Sequence, residues 1–261
     1  MALRLRLAAA VAFLAAAGEG GAWTTDPPPD YGRVVLANFT SKAGMAPAQF
    51  DHWRHRARYT CRVCHVDLGF AMSAGATRVS ATTNQSSFHC GSCHNGTARS
   101  GGRVIFAACG PRTTPEDETR CRRCHSRGDA AQRRKDFEEF AAELPRMGAA
   151  RDVDWEKAEA RGSIRPADQV EGVSIPRRPI QMDKEVAIAS KGWAESVIFS
   201  HKKHAVWNGC EVCHPDIYPH TQGAVRSTML EISSGASCGA CHGKVAFSLG
   251  ECERCHLKPV R

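Results

Sequence analysis

The chain has 261 residues, of which 42% are hydrophobic and only 7% aromatic, and its formal net charge at pH 7 is +8. This length fits one or two domains. The scarcity of aromatic side chains argues against a large conventional hydrophobic core, so apolar surface must be buried in another way.

Residues 1–22 are predicted to be an export signal peptide. Arg4 and Arg6 supply a basic start, Leu7 to Ala17 an apolar run, and Gly20-x-Ala22 a cleavage site. The apolar run is too short to span a bilayer, and no other stretch qualifies. We therefore expect an exported mature chain of 261 − 22 = 239 residues, periplasmic or on the outer surface, without an integral membrane segment.

Residues 23–49 are predicted to form an extended N-terminal segment. Pro27-Pro28-Pro29 favours a polyproline path, and Val34-Val35-Leu36 predicts a short strand.

The five-residue motif Cys-x-x-Cys-His occurs six times and uses twelve of the thirteen cysteines. The six haem motifs, as we call them, are Cys61/Cys64/His65, Cys90/Cys93/His94, Cys121/Cys124/His125, Cys210/Cys213/His214, Cys238/Cys241/His242 and Cys252/Cys255/His256. Cysteines at this spacing lie about one helical turn apart, so both can form thioethers to one haem while the adjacent histidine binds its iron. The sequence therefore predicts six covalently bound haems c, each with a proximal histidine.

Other uses of paired cysteines fit this pattern poorly. Structural zinc needs four converging ligands and gives no reason for a histidine after every pair. A secreted disulfide scaffold is usually shorter and does not repeat one fixed spacing, and a thioredoxin-like site has one pair near a βαβ unit.

An internal repeat divides the haem motifs into two groups of three. The pattern Phe-x-His-x-x-His precedes the first haem motif at 50–55 and the fourth at 199–204, and the offset stays at 149 residues (201 − 52 and 210 − 61). Histidines three apart on a helix share one face, so their imidazoles can approach two neighbouring irons. We expect triheme module 1 at 50–128 and triheme module 2 at 197–261.

Six histidines remain beside the proximal ones, and six irons need a distal ligand. The six are His52, His55, His89, His201, His204 and His220. If each binds an iron, every haem is bis-histidine ligated and no coordination position is open to a substrate.

The pattern leaves open the distal ligand of the haem on Cys121 and Cys124. Alignment of the repeats makes Met72, not His89, the counterpart of His220, because Met72 and His220 each lie 18 residues before the second haem motif of their module. Methionine also ligates haem iron and raises its reduction potential. His89, Met72 and an open position are therefore alternatives.

Residues 129–196 predict a structured, partly helical connector that covers haem edges. Asp129 to Leu144 is rich in helix formers and ends at Pro145, and a second helix is expected from Val153 to Arg161 with Asp152 as its cap. A docking surface is the less favoured interpretation of this segment.

The thirteenth cysteine, Cys109, lies between Gly101-Gly102 and Gly110-Pro111 in a predicted loop. We expect an inert or buried thiol there, and an intermolecular disulfide is the alternative.

The basic charge does not by itself indicate nucleic acid binding. Loss of Arg4, Arg6 and Glu19 with the signal peptide leaves 8 − 2 + 1 = +7, and each haem would add two negative propionates. The basic side chains are better explained as partners of the propionates and as a surface that steers a redox protein.

With these motifs in place, the sequence resembles the triheme cytochrome c7 branch of the cytochrome c3 (class III) family. The resemblance rests on Phe-x-His-x-x-His followed by three haem motifs, in 199–256 and, with an insertion, in 50–125. It implies two tandem c7-like modules, mostly irregular with short α-helices wrapped around closely packed haems and with little β-structure.

The resemblance also implies which histidines share an iron. The implied pairs are His52 with His65, His55 with His94, His201 with His214, His204 with His242, His220 with His256, and His89 or Met72 with His125. The last two of these pairs depart from the family pattern, in which the distal ligand of the third haem lies a few residues before the second haem motif.

Together these features predict a hexahaem cytochrome that carries single electrons between redox proteins, such as other cytochromes or membrane oxidoreductases, and is not an enzyme. One alternative is a multihaem reductase with an open coordination site. Another is a structural protein that polymerises into a haem-lined filament. The sequence leaves the oligomeric state undetermined.

Overall fold

A computed structural model describes residues 31–126, 130–148, 150–177, 182–190 and 196–256, so the predicted signal peptide and Pro27 to Pro29 lie outside the described residues. The α-helices in these ranges are α1 (His52–Arg56), α2 (Ala81–Gln85), α3 (Pro115–Arg122), α4 (Ala130–Ala141), α5 (Trp155–Ala160), α6 (His201–Asn208) and α7 (Met229–Ser233). The strands are β1 (Arg33–Leu36), β2 (Ala48–Asp51), β3 (Arg99–Ser100), β4 (Arg103–Val104), β5 (Arg146–Met147), β6 (Asp152–Val153), β7 (Glu185–Ile188) and β8 (Val197–Ser200).

These elements are short and irregular segments join them, which confirms the predicted fold class. The described strands form four separate antiparallel pairs, β1–β2, β3–β4, β5–β6 and β7–β8, with no larger sheet. Within the ranges given above, no helix combines the length and the hydropathy needed to cross a bilayer.

Each repeat begins with a β-hairpin that leads into the helix bearing the paired histidines. The strand predicted at Val34 to Leu36 is confirmed as part of β1, which pairs with β2, and β7 pairs with β8 in the same register. Val34 lies opposite Phe50, and Val186 lies opposite Phe199. The structural repeat therefore starts before the phenylalanine at which the sequence repeat was recognised.

Both connector helices are shorter than predicted. The first, α4, covers Ala130–Ala141. The second begins at Trp155 and not at Val153, because the Asp154 side chain caps it by accepting from the backbone N–H of Lys157 at 3.0 Å. The predicted cap, Asp152, instead belongs to the buried strand β6.

The main hydrophobic core is small and lies in the connector, against a single tryptophan of α1. Its buried members are Trp53, Phe137, Ala141, Leu144, Val153, Trp155, Ala158 and Ile164. Because these side chains pack mainly on one another, the connector is a structural element that holds α1 in place. Its predicted role in covering haem edges stays a prediction.

Candidate haem-binding sites

The haem motifs adopt helical turns. In five of them the backbone N–H of the histidine donates to the carbonyl of the first cysteine at 2.8–2.9 Å, and the first motif lies in continuous helical structure. This turn brings the two cysteines of each motif to the same side of the backbone, as attachment to one haem requires.

The cysteines show neither of the alternative arrangements. All thirteen lie in the described ranges and are free, so no disulfide joins them. Among the described residues, no three His, Cys, Asp or Glu side chains converge as the ligands of a metal ion, which structural zinc would need.

One phenylalanine orients both paired histidines, in the same way in each module. The first histidine lies edge-on to Phe50 or Phe199, with ring centroids 4.8 Å and 4.9 Å apart. The second lies closer to parallel, with centroids 4.4 Å apart in both modules. The pattern Phe-x-His-x-x-His therefore corresponds to one rigid arrangement of three rings.

Backbone carbonyls accept from the Nδ1–H of seven histidines. The acceptors are Gly32 for His52, Asp51 for His55 (3.4 Å), Phe70 for His65 (2.8 Å), Ala46 for His125 (2.7 Å), Lys184 for His201 (3.1 Å), Ser200 for His204 (2.8 Å) and Tyr218 for His214 (2.5 Å). A neutral imidazole that donates through Nδ1 presents the lone pair of Nε2, and such second partners orient imidazoles that bind metals.

Three of the implied histidine pairs face one another across a gap of constant width. Ring centroids are 6.4 Å apart for His52 and His65, 6.3 Å for His55 and His94, and 6.2 Å for His204 and His242. An iron–imidazole bond of about 2 Å, with the ring centre about 1 Å behind the nitrogen, places two axial rings roughly 6 Å apart. The residues present therefore fit an iron between each pair.

Burial keeps these imidazoles neutral. Desolvation is the largest influence on each of them, and it lowers the pKa of His55 and of His242 to about 4. It also lowers the pKa of His52, His65, His94 and His204. The neutral form is the one that binds iron, so the protonation state matches the proposed role.

The remaining distal candidates are not arranged in this way. The His220 ring lies 4.8 Å from that of His214, with planes 17° apart, which is too close for an iron between them. His89 packs beside Phe70, with ring centroids 5.4 Å apart. The pairings of His220 with His256, of His201 with His214, and of His89 or Met72 with His125 stay predictions.

The haem motifs of both modules form one contiguous group. Burial, and then the nearby thiols of Cys93, Cys61 and Cys90, raise the pKa of Cys64 to about 12. Burial, followed by Cys61 and Cys213, likewise raises the pKa of Cys241 to about 12. These thiols stand where thioether sulfurs would be in the haem-bound chain, and their proximity links the two modules through the first haem motif.

Arg56 occupies this junction, and its position was not predicted from the sequence. Its guanidinium donates to the carbonyl of Val245 and lies over the rings of Trp155 and Trp207, at 4.7 and 5.7 Å from their centroids. Burial lowers its pKa, with smaller opposing influences from Cys61 and other groups. The only signal in the sequence was its place beside His55.

A chain with repeated Cys-x-x-Cys-His turns and facing imidazoles has the features of a c-type cytochrome with several haems. Residues 48–126 and 197–257 match the family model described as cytochrome c7 and related cytochrome c, and the chain belongs to this family. The match covers both regions in which the haem motifs lie, so the suspected relationship is confirmed.

Solved structures similar to this chain are also multihaem cytochromes by their titles. A c7-type three-heme cytochrome domain is 40% identical over 29% of this chain and 95% of its own, with a TM-score of 0.27. The C-terminal hexaheme fragment of GSU1996 is 23% identical over 86% of this chain and 96% of its own, with a TM-score of 0.26. Dodecaheme cytochrome c GSU1996 is 22% identical over 86% of this chain and 74% of its own, also at 0.26. No curated protein matches the chain.

Proposed function

We propose that this protein is a hexahaem cytochrome that carries single electrons between redox partners. The observation that carries the proposal is the set of three facing imidazole pairs, 6.2–6.4 Å apart between ring centroids. Both axial positions filled by histidine leave no open site for substrate, which favours electron transfer over catalysis.

The chain's residues would hold each haem in three ways. The two cysteines of a haem motif would attach it covalently and the following histidine would bind the iron; in the three facing pairs a second histidine would bind from the opposite face. The bound haem supplies an iron that exchanges one electron between its ferrous and ferric states. The protein orients the imidazoles through the backbone carbonyls described above.

The contiguity of the haem motifs supports electron passage along the whole chain. The third motif lies near the second, since Cys124 acts electrostatically on Cys90, and the sixth lies near the fifth, since Cys238 acts on Cys255. The first motif lies near module 2, since Cys61 acts on Cys213 and Cys241. An electron that enters one module would therefore have a route into the other.

We further propose that the protein acts after export, in the periplasm or at the outer surface. The predicted signal peptide supports this location, because covalent haem attachment takes place outside the cytoplasm. Partners would be other cytochromes or membrane oxidoreductases, steered by lysines and arginines of the chain.

A haem count on the purified holoprotein tests the proposal. A pyridine haemochrome assay should give about six haems c per chain, and intact mass should shift by the same number of haem groups. A ferric spectrum without high-spin bands and without rapid cyanide binding is expected. Two or three haems per chain would contradict the proposal. Rapid cyanide binding by one haem of the wild-type protein would contradict it as well.

The same preparation distinguishes a small electron carrier from a protein that polymerises into a filament. Electron micrographs of the purified holoprotein should show monodisperse small particles. Extended polymers of uniform width would favour the structural alternative.

A further inference from the structure

One imidazole pair of module 1 belongs to a series of ring contacts that ends in an arginine. Phe50 packs on His55 with ring centroids 4.4 Å apart, and His55 faces His94 across the 6.3 Å gap that fits an iron. His94 packs in turn against Phe106, with centroids 4.5 Å and planes 58° apart. The guanidinium of Arg123 lies over the Phe106 ring, 4.7 Å from its centroid. One phenyl ring therefore contacts both an iron-binding imidazole and a cation.

Module 2 repeats this series with nearly the same geometry. The rings of Phe199, His204 and His242 follow one another with centroids 4.4 and 6.2 Å apart. His242 packs against Phe247, with centroids 4.2 Å and planes 59° apart, and the Arg254 guanidinium lies over that phenyl ring at 4.6 Å. The largest difference from module 1 is 4.5 − 4.2 = 0.3 Å, between the imidazole and the phenyl ring.

The contact recurs although the two phenylalanines do not align in sequence. Phe106 follows His94 by 106 − 94 = 12 residues, whereas Phe247 follows His242 by 247 − 242 = 5 residues. The insertion of module 1 therefore separates the histidine from the phenylalanine along the chain without changing their distance in space. Local spacing cannot produce this agreement, so the arrangement belongs to the haem site itself.

The arginine comes from a different haem motif than the histidine it approaches. Arg123 stands directly before Cys124, the second cysteine of the third haem motif, and Arg254 stands directly before Cys255 of the sixth. Each arginine therefore joins the last haem motif of its module to the proximal histidine of the motif before it, through one phenylalanine.

The charge of the arginine acts on the imidazole. Burial lowers the pKa of His94 most, and the positive charge of Arg123 lowers it further. Arg254 lowers the pKa of His242 in the same direction, after the larger influences of burial, His204 and Arg56. Both arginines are exposed, so solvent screens part of the charge, and the phenyl ring keeps the guanidinium near the histidine.

We propose that Arg123 and Arg254 raise the reduction potential of the haem bound by the second haem motif of their module. Phe106 and Phe247 are the positioning residues that hold each guanidinium beside the proximal histidine. The inference rests on the proposed function, because it requires haems at these motifs.

The physical basis is the charge of the iron. Reduction adds one electron, delivered by a redox partner or a neighbouring haem, and no bond to the iron forms or breaks. A cation close to the iron disfavours the ferric state, which carries one more positive charge, and so favours reduction. Groups that contact an axial ligand from behind are a general means of tuning a metal centre.

The test compares wild-type holoprotein with R123Q, R123K, F106L and R122Q. A redox titration followed by exchange NMR spectroscopy resolves the haems individually and gives a midpoint potential for each. Ferric EPR reports the orientation of the axial imidazoles, and the haem count shows whether each variant has matured.

R123Q should lower the midpoint potential of the haem held by His94. R123K should restore it towards the wild-type value, because the charge remains. F106L should lower the same potential, since the guanidinium is no longer held at the ring, and should also shift the EPR g values of that haem.

R122Q is the matched control. Arg122 is exposed and precedes Arg123 between the same two cysteines, so its replacement removes the same charge from the same haem motif and leaves the contact with Phe106 in place. It should change the potential less than R123Q does. R254Q should lower the potential of the haem held by His242 and leave that of the His94 haem in place.

The proposal is overturned if R123Q, with a full complement of haems, keeps the wild-type potential at the His94 haem, or if R122Q lowers it as much. It is equally overturned if R123K lowers this potential as far as R123Q does, since Arg123 would then act only through packing. R254Q decides the case if R123Q does not mature. A haem count far below six in the wild type would instead count against the proposed function.

Discussion

At the scale of single residues, the imidazoles are set up for iron by two independent influences. Hydrogen bonds to backbone carbonyls select the tautomer that presents Nε2, as for His204 and the carbonyl of Ser200 at 2.8 Å. Burial then lowers the pKa, so the imidazole is uncharged near neutral pH. Neither influence depends on sequence spacing, which is why the count of histidines alone could not distinguish His204 from His220.

Replacement of His204 by alanine should leave one haem without its distal ligand. We expect one high-spin ferric haem per chain and new cyanide binding at that haem, measured by optical and EPR spectroscopy. K203A is the matched control, since the exposed Lys203 precedes His204 in α6 and its ammonium makes a surface ion pair with Glu156 of α5. An unchanged low-spin spectrum in H204A would refute the pairing of His204 with His242.

At the scale of elements, each module packs a short helix against the turn of its second haem motif. Thr83 and Glu231 close capping boxes at the start of α2 and α7. The carbonyl ends of these helices press on Gly91 and Gly239, where a Cβ would overlap the backbone of Asn84 or Ile232. Glycine is therefore required because no side chain fits between helix and haem motif.

G91A should destabilise module 1 and lower haem attachment at Cys90 and Cys93. Forcing a methyl group into this contact should cost about 1–3 kcal/mol or more of unfolding free energy. Thermal unfolding followed by circular dichroism, together with the haem count, measures the effect, and G239A should behave alike. The control is G110A, because a Cβ there would meet only the flexible end of Arg120 at 3.3 Å. Equal stability of G91A and G110A would contradict the explanation.

At the scale of the whole molecule, the connector supplies most members of the hydrophobic core cluster among the described residues. Tyr31 stacks on Phe137 with ring centroids 3.5 Å apart, and Trp53 of α1 packs edge-on to the same ring. The N-terminal segment, module 1 and the connector are therefore held together around one buried phenylalanine.

F137A should lower the free energy of unfolding by about 3–5 kcal/mol, because Phe137 is 2% exposed and its removal leaves a cavity. F88A is the control, since Phe88 is 62% exposed and its loss should change stability by no more than about 0.5 kcal/mol. Denaturant unfolding of both variants measures these changes. Similar losses of unfolding free energy in F137A and F88A would mean that the connector does not form the core.

Arg56 provides a test of coupling between the modules. Its positive charge near Cys61 and Cys241 would favour the ferrous over the ferric state of haems attached there, on the order of 1 kcal/mol. R56Q should therefore lower the midpoint potential of one or two haems in a spectroelectrochemical titration and leave the others in place. R58Q, at an exposed position on the same segment, should shift the potentials less than R56Q does, because solvent screens its charge. Unaltered potentials in R56Q would show that Arg56 does not influence the haems at the junction between the modules.

The sequence by itself determined the haem motifs, the two histidine pairs, the internal repeat and the short-helix character of the fold. These features are local, because a five-residue turn or a pair three apart carries its geometry in its spacing. The tertiary structure alone decided that the connector forms the core, that Arg56 lies between the modules, and that His220 lies against His214. No spacing rule reports such contacts, because they depend on how distant segments fold back on one another.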